Sequence, residues 1–123
     1  MKRMLSLLPP LLYMALIYYL SDRPTPEILH KAPRLFGMKV VHLLEYGLLA
    51  ILWFRALRHA TPWSSRALCL LSVALTLAWG ISDEIHQSYV PGRTARVGDA
   101  VTDLVGAVIA VWLWRLWIGH RKT

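Results

Sequence analysis

The sequence predicts an all-α protein: a polytopic membrane helical bundle of four transmembrane helices, in a single domain over residues 1–123. Hydrophobic residues make up 56% of the chain, and the mean hydropathy is +0.44. They are concentrated in four runs, at about residues 4–20, 40–57, 67–82 and 100–118. Each run approaches the roughly 20 residues that cross a bilayer as a helix. Because lipid offers no hydrogen-bond partners, a backbone that crosses it must be helical or form a closed barrel.

The first run follows Lys2 and Arg3, as the apolar part of a signal peptide does. The stretch after the run, "YYLSDRP", has bulky side chains where a cleavage site needs small ones, so we expect a retained helix. Pro9 and Pro10 are expected to delay or kink its start.

Basic residues predict the orientation of a multi-pass protein of the cell membrane. The 55–66 connection carries three arginines and no acidic residue, and both chain ends are basic. The positive-inside rule therefore places this connection and both termini in the cytoplasm. The connections at 21–39 and 83–99 then face outward, and they mix charges of both signs. We expect the basic rim to contact membrane lipids with anionic headgroups, and its pattern does not indicate nucleic acid.

The second helix is predicted to carry one polar face. Lys39, His42 and Glu45 follow at intervals of three, and Tyr46 shares their face. An unpaired charge near the middle of a bilayer costs about 2.5–3.5 kcal/mol, so this face is predicted to meet neighbouring helices. A buried polar clamp that only fixes helix packing is the structural alternative.

The third helix is predicted to lead into a polar connection, "SDEIHQSYVPGR". One face of this stretch, with His86 beside it, carries Asp83, Glu84 and Gln87. The Val90-Pro91-Gly92-Arg93 sequence is typical of a type II turn, which would bring Arg93 and Arg96 over the mouth of the bundle. A solvated charged loop is the alternative here.

The fourth helix is predicted to open near Asp99, which is either a helix N-cap or a site residue. Asp103 lies one turn further in, and Gly106, Ala107 and Ala110 follow it. Such small residues let a neighbouring helix come close. A carboxylate at that depth in a membrane indicates a function by default.

Three helices thus each bring polar residues to the outer half of one bundle. The candidate catalytic residues are His42, Glu45, Asp83, Glu84 and Asp103. The candidate substrate-binding residues are Lys39, Tyr46, Gln87, Arg93, Arg96 and Asp99. A divalent cation is the cofactor that oxygen and imidazole ligands would suit. Its candidate ligands are His42, Glu84, Asp99 and Asp103.

Three motifs in this region resemble the VanZ-like membrane proteins, a family named for a teicoplanin-resistance protein. They are K-x-x-H-x-x-E-Y from residue 39, D-E-x-x-Q-x-x-x-P-G-R from residue 83, and D-x-x-x-D-x-x-G from residue 99. The resemblance covers about residues 39–110. The positions that match the family pattern are Lys39, His42, Tyr46, Asp83, Glu84, Gln87, Pro91, Gly92, Arg93, Asp99, Asp103 and Gly106. Asp103 stands where the family commonly has Asn, which adds a charge, and Ala110 stands where a second Gly is frequent.

The resemblance implies a role at the cell envelope, and the residues leave two classes of function open. Carboxylates beside a histidine can do acid–base chemistry, and arginines can hold a phosphate, so one class is an enzyme or binder of a lipid-linked cell-wall precursor. Under this interpretation, the resemblance also implies a role in teicoplanin resistance. The other is a non-catalytic binding or assembly factor whose polar core is structural. A small transporter or ion pathway is a third interpretation, and the sequence assigns no oligomeric state.

Overall fold

The computed structural model describes residues 1–21, 34–90 and 97–121, except for the side chains of residues 21, 34–39 and 97–99. The described residues form helices and no strand: α1 (Lys2–Leu5), α2 (Leu8–Ser21), α3 (Arg34–Ala60), α4 (Ser65–Gln87) and α5 (Val97–Arg121). Four stretches are long and apolar enough to cross a membrane: Lys2–Leu20, Val40–Ala60, Ser65–Gln87 and Ala100–Arg121. The predicted all-α bundle with four membrane helices is therefore confirmed.

The N-terminal span is interrupted between α1 and α2. Pro9 and Pro10 fall in the first turn of α2, where proline is tolerated because the first amides of a helix have no intrahelical partner. At the interruption, the Ser6 hydroxyl donates a hydrogen bond of 3.2 Å to the carbonyl of Ala56 on α3. The prolines thus set where the long helix starts, and Ser6 ties the short one to the bundle.

Two helices extend further than the apolar runs predict. α3 begins at Arg34 and α4 ends at Gln87, so parts of the predicted outer connections at 21–39 and 83–99 are helical. The apolar runs therefore mark the membrane-spanning parts of these helices and not their full lengths. An apolar run measures hydrophobic length, whereas α4 continues past its run through Asp83, Glu84 and Gln87, which are polar and buried against neighbouring helices.

The fourth long helix starts earlier than the sequence predicts. α5 begins at Val97, so Asp99 lies within its first turn and is not its N-cap. A carboxylate in the first turn also lies near the positive end of the helix dipole. Acidic residues are therefore favoured both at the N-cap and in the first turn, and the sequence alone does not distinguish the two positions.

α3 is the central helix of the bundle. It packs most extensively against α5, then against α4, while α2 lies outside and contacts both α3 and α4. The α3–α5 contact is close because it is made by small residues: a Cβ on Gly47 would lie 3.2 Å from the Cβ of Ala110. The apolar interior below the polar residues includes Leu49, Phe54 and Val111. Close approach through small residues is how membrane helices associate when burial from water cannot drive them together.

Candidate functional site

The polar residues lie at one end of the bundle, where α3 and α5 begin and α4 ends; we call it the polar end. α3 and α5 approach closely at Gly106, where an added Cβ would lie 2.9 Å from the carbonyl oxygen of Leu43. Leu43 follows His42 in the chain, and Gly106 lies one turn from Asp103. The contact between the two backbones therefore brings the His42 and Asp103 side chains to the same height.

His42 and Asp103 form a buried pair that joins α3 to α5. The distance between Nδ1 of His42 and Oδ1 of Asp103 is 3.1 Å, and the two residues are 5% and 0% exposed. A hydrogen bond between an imidazole and a carboxylate fixes the orientation of the ring. Such a pair can hold a proton, or it can present a carboxylate and an imidazole to a bound group.

A second set of hydrogen bonds joins α3 to α4. The Tyr46 hydroxyl donates to Oδ2 of Asp83 over 2.8 Å, and the Gln87 side-chain amide donates to the same oxygen over 3.2 Å. All three residues are buried. The other oxygen of Asp83, Oδ1, is buried and accepts no hydrogen bond within the described parts of the chain. A buried carboxylate oxygen of this kind can accept a hydrogen bond from a bound molecule.

The two sets of contacts meet at Tyr46. Its ring is stacked on that of His42, with centroids 5.9 Å apart and planes 7° from parallel. On the other side, a Cβ added to Gly80 of α4 would lie 2.9 Å from Oδ2 of Asp103 and 3.3 Å from Cε1 of Tyr46. Glycine at position 80 therefore lets α4 close over both side chains. In the sequence, Gly80 lies on the same helix face as Asp83. This pattern alone does not predict that α4 approaches its neighbours closely at Gly80.

One group of side chains at the polar end has the composition of a metal site. His42, Glu84 and Asp103 each offer a ligand atom, and these three atoms lie within 4.8 Å of one another. The residues come from three different helices and all are buried. Two carboxylates and an imidazole suit a divalent cation such as Mn²⁺, Fe²⁺ or Zn²⁺, and carboxylates also suit Mg²⁺.

Not every candidate residue joins this group. Glu45 is half-buried, and its charge lies close enough to the hydroxyls of Tyr13 and Tyr46 to interact with both. Tyr13 lies on α2, so the charge of Glu45 acts on that helix as well as on its own. His86, which flanked the predicted polar face, has its ring 4.6 Å from that of Tyr18, also on α2.

Four candidate residues lie outside what the structure describes. Arg93 and Arg96 fall in the segment at 91–96, together with the predicted Pro91–Gly92 turn. Lys39 and Asp99 fall within α3 and α5, but their side chains are not described. Their proposed roles in substrate binding and, for Asp99, in metal binding stay predictions.

The family model described as VanZ/LLP1 matches residues 4–118. No curated protein and no solved structure matches this chain. The family match covers all four membrane helices and confirms the resemblance drawn from the three motifs.

Proposed function

Because the chain belongs to the VanZ/LLP1 family, we propose that it acts in the cell membrane by binding the phosphate-bearing headgroup of a lipid-linked cell-envelope precursor. The headgroup binds at the polar end, through a divalent cation held by His42, Glu84 and Asp103. In this proposal the polar end faces outward, both termini are cytoplasmic, and the chain contributes to resistance to glycopeptides such as teicoplanin.

The observation that carries the proposal is the convergence of His42, Glu84 and Asp103 from three helices. Placing a carboxylate within a membrane helix is costly, so carboxylates there mark ligand or ion sites more often than packing sites. Each of these residues is a common ligand of divalent cations, and their ligand atoms lie within 4.8 Å of one another. A site of this composition is therefore better suited to a cation than to any anion alone.

A cation explains how an acidic site could bind a phosphate. Carboxylates repel an anion, whereas Mg²⁺ is commonly held by one or two carboxylates together with phosphate oxygens of a substrate. In the same site, Oδ1 of Asp83 can accept a hydrogen bond from a hydroxyl or amide of the headgroup. Arg93 and Arg96, on the connection that borders the polar end, would add bidentate contacts to the phosphate.

The test is cation binding by the purified protein, measured by calorimetry with Mg²⁺, Mn²⁺ and Zn²⁺ and by elemental analysis. We expect one site in the wild type, and its loss in Glu84→Gln and Asp103→Asn. Glu45→Gln is the matched control, because it removes the same charge near the site from a residue outside the ligand group. Asparagine at position 103 keeps an oxygen that can accept from His42, so Asp103→Asn should keep the fold while losing the cation.

The second step of the test uses a polyprenyl pyrophosphate in mixed micelles as the probe. Its binding should require the cation and should be lost in the Glu84→Gln variant. Strong binding after removal of all divalent cations by a chelator would contradict the proposed role of the cation.

A structural role is the second candidate function, and the hydrogen bonds of Asp83 favour it. These bonds connect α3 with α4, just as the His42–Asp103 pair connects α3 with α5. If the polar end only fixes the bundle, Glu84→Gln should lower membrane abundance and should bind no less cation than Glu45→Gln. If it binds a cation, abundance should be preserved and binding lost.

A further inference from the structure

A cavity lies at the opposite end of the bundle, which we call the basic end. It has a volume of about 320 Å³, opens to the outside, and lies between α3, α4 and α5. Its floor includes Phe54 and Leu68, which are buried in the apolar interior. Arg58 of α3 and Arg115 of α5 line it as well. The cavity thus combines an apolar base with two cationic side chains from different helices.

The positive charges of Arg58 and Arg115 have no acidic side chain beside them among the described residues that line the cavity. The carboxylates whose positions the structure describes, Glu45, Asp83, Glu84 and Asp103, all belong to the other half of the bundle. Arg115 is within hydrogen-bonding reach of the Cys69 thiol, a weak and uncharged partner. Two guanidinium groups in one concave site favour an anion with several oxygen atoms, which a planar guanidinium binds through paired hydrogen bonds.

The start of α4 adds to the same preference. Ser65, the first residue of α4, lines the cavity, and the preceding Ser64 side chain accepts a hydrogen bond from the Ala67 amide. The remaining first-turn amides and the positive end of the helix dipole favour negative charge beside Ser65. The dipole is a supporting contribution here, because the arginine pair supplies the full charges.

The depth of the cavity indicates where the anion comes from. The second candidate span ends at Ala60, close after Arg58, and the third begins at Ser65. The cavity therefore lies where lipid headgroups meet the hydrocarbon. Trp63, which also lines it, is 53% exposed, as is common for tryptophan at a membrane interface. Basic pockets between membrane helices at this level bind anionic lipid headgroups.

We propose that the cavity at the basic end binds the headgroup phosphate of an anionic phospholipid from the surrounding membrane, through Arg58 and Arg115. The volume falls in the range of small-ligand sites and accommodates a phosphate with part of its glycerol. This site is separate from the polar end, and it stands whether or not the polar end binds a precursor.

The experiment measures which lipid stays bound to the full-length protein. The protein is extracted from nanodiscs that contain equal amounts of phosphatidylcholine and phosphatidylglycerol, and bound lipids are counted by native mass spectrometry. The wild type should keep phosphatidylglycerol in preference to phosphatidylcholine. Arg58→Gln with Arg115→Gln should reduce this preference by at least about tenfold, since each removes hydrogen bonds to a charged group.

The matched control removes the same charge from the same two helices outside the cavity. Arg55 lies over the Trp114 ring at 5.6 Å and Arg121 lies over the Trp117 ring at 4.1 Å, and neither residue lines the cavity. Arg55→Gln with Arg121→Gln should therefore leave the preference nearly unchanged. Equal losses in the two double variants would mean diffuse attraction to the basic end and would overturn the site, as would no loss in either.

Two further measurements control for misfolding and distinguish a lipid headgroup from a soluble anion. Arg58→Lys with Arg115→Lys keeps the charge and lowers the risk of misfolding, and it should still lose much of the preference because an ammonium cannot bind a phosphate bidentately. Wild-type preference in this variant would contradict the paired contact. Displacement of phosphatidylglycerol by millimolar inorganic phosphate would identify a site for soluble anions and would refute the lipid assignment.

Discussion

Replacing Gly106 with alanine should destabilise the bundle by pushing α5 away from α3. A Cβ at this position would lie 2.9 Å from the carbonyl oxygen of Leu43 and 3.1 Å from its Cα. Both are backbone atoms, so no side-chain rotation can relieve the contact, and the two helices must separate. Since Leu43 adjoins His42 and Gly106 lies one turn from Asp103, the separation would also lengthen the 3.1 Å contact between those two side chains.

The magnitude follows from two opposing effects. Inserting a methyl group into a well-packed contact costs about 1–3 kcal/mol, while alanine in a helix is favoured over glycine by about 0.5–1 kcal/mol. The net loss of stability should be roughly 0–2.5 kcal/mol, with about 1 kcal/mol at the centre of that range. Gly119→Ala, on the same helix, is the control: its Cβ would lie within 4 Å of no other helix among the residues that the structure describes. In Gly119→Ala only the greater helix propensity of alanine affects stability, which should stay unchanged or rise by up to about 1 kcal/mol.

The assay is unfolding in mild detergent micelles titrated with sodium dodecyl sulfate, followed by tryptophan fluorescence. The Gly106→Ala midpoint should fall below that of the wild type and the Gly119→Ala midpoint should not. Cation affinity at the polar end should fall in Gly106→Ala alone. Equal or greater stability of Gly106→Ala, compared with Gly119→Ala, would refute the close contact between α3 and α5.

Two other predictions concern the polar end and the orientation. Tyr46→Phe removes the buried 2.8 Å hydrogen bond to Asp83 and should lower stability by about 1.5–3 kcal/mol in the same titration, as is typical of a bond to a charged group. The control is Tyr89→Phe, at a residue that is 83% exposed, which should change stability by less than about 0.5 kcal/mol. Similar losses of stability in both variants would contradict the hydrogen bond between Tyr46 and Asp83. In a cysteine-free background, Ser88→Cys should react with a membrane-impermeant maleimide from outside the cell and Ser64→Cys only after the membrane is opened. Reaction of Ser64→Cys in intact cells would reverse the proposed orientation.

The sequence alone predicts the four membrane helices because hydrophobic length and backbone hydrogen bonding are properties of one segment at a time. It also predicts the polar faces, since residues three or four apart share a side of any helix. Helical spacing is enough to group His42 with Tyr46, and likewise Asp83 with Gln87. The end of α4 is predicted less well, because its buried polar residues Asp83, Glu84 and Gln87 extend the helix past its apolar run.

Only the tertiary structure decides which polar residues meet. Periodicity places Glu45 and His42 on one face of α3. In the described parts of the chain, however, His42 contacts Asp103 and shares a group of potential metal ligands with Glu84 and Asp103, and Glu45 does not belong to that group. Pairing between helices depends on their relative height and rotation, and neither quantity is contained in the spacing of residues within a single helix. Here the close approaches at Gly47, Gly80 and Gly106 contribute to both. The grouping of His42, Glu84 and Asp103 depends on those contacts, because each residue comes from a different helix and the glycines let the three helices come close together.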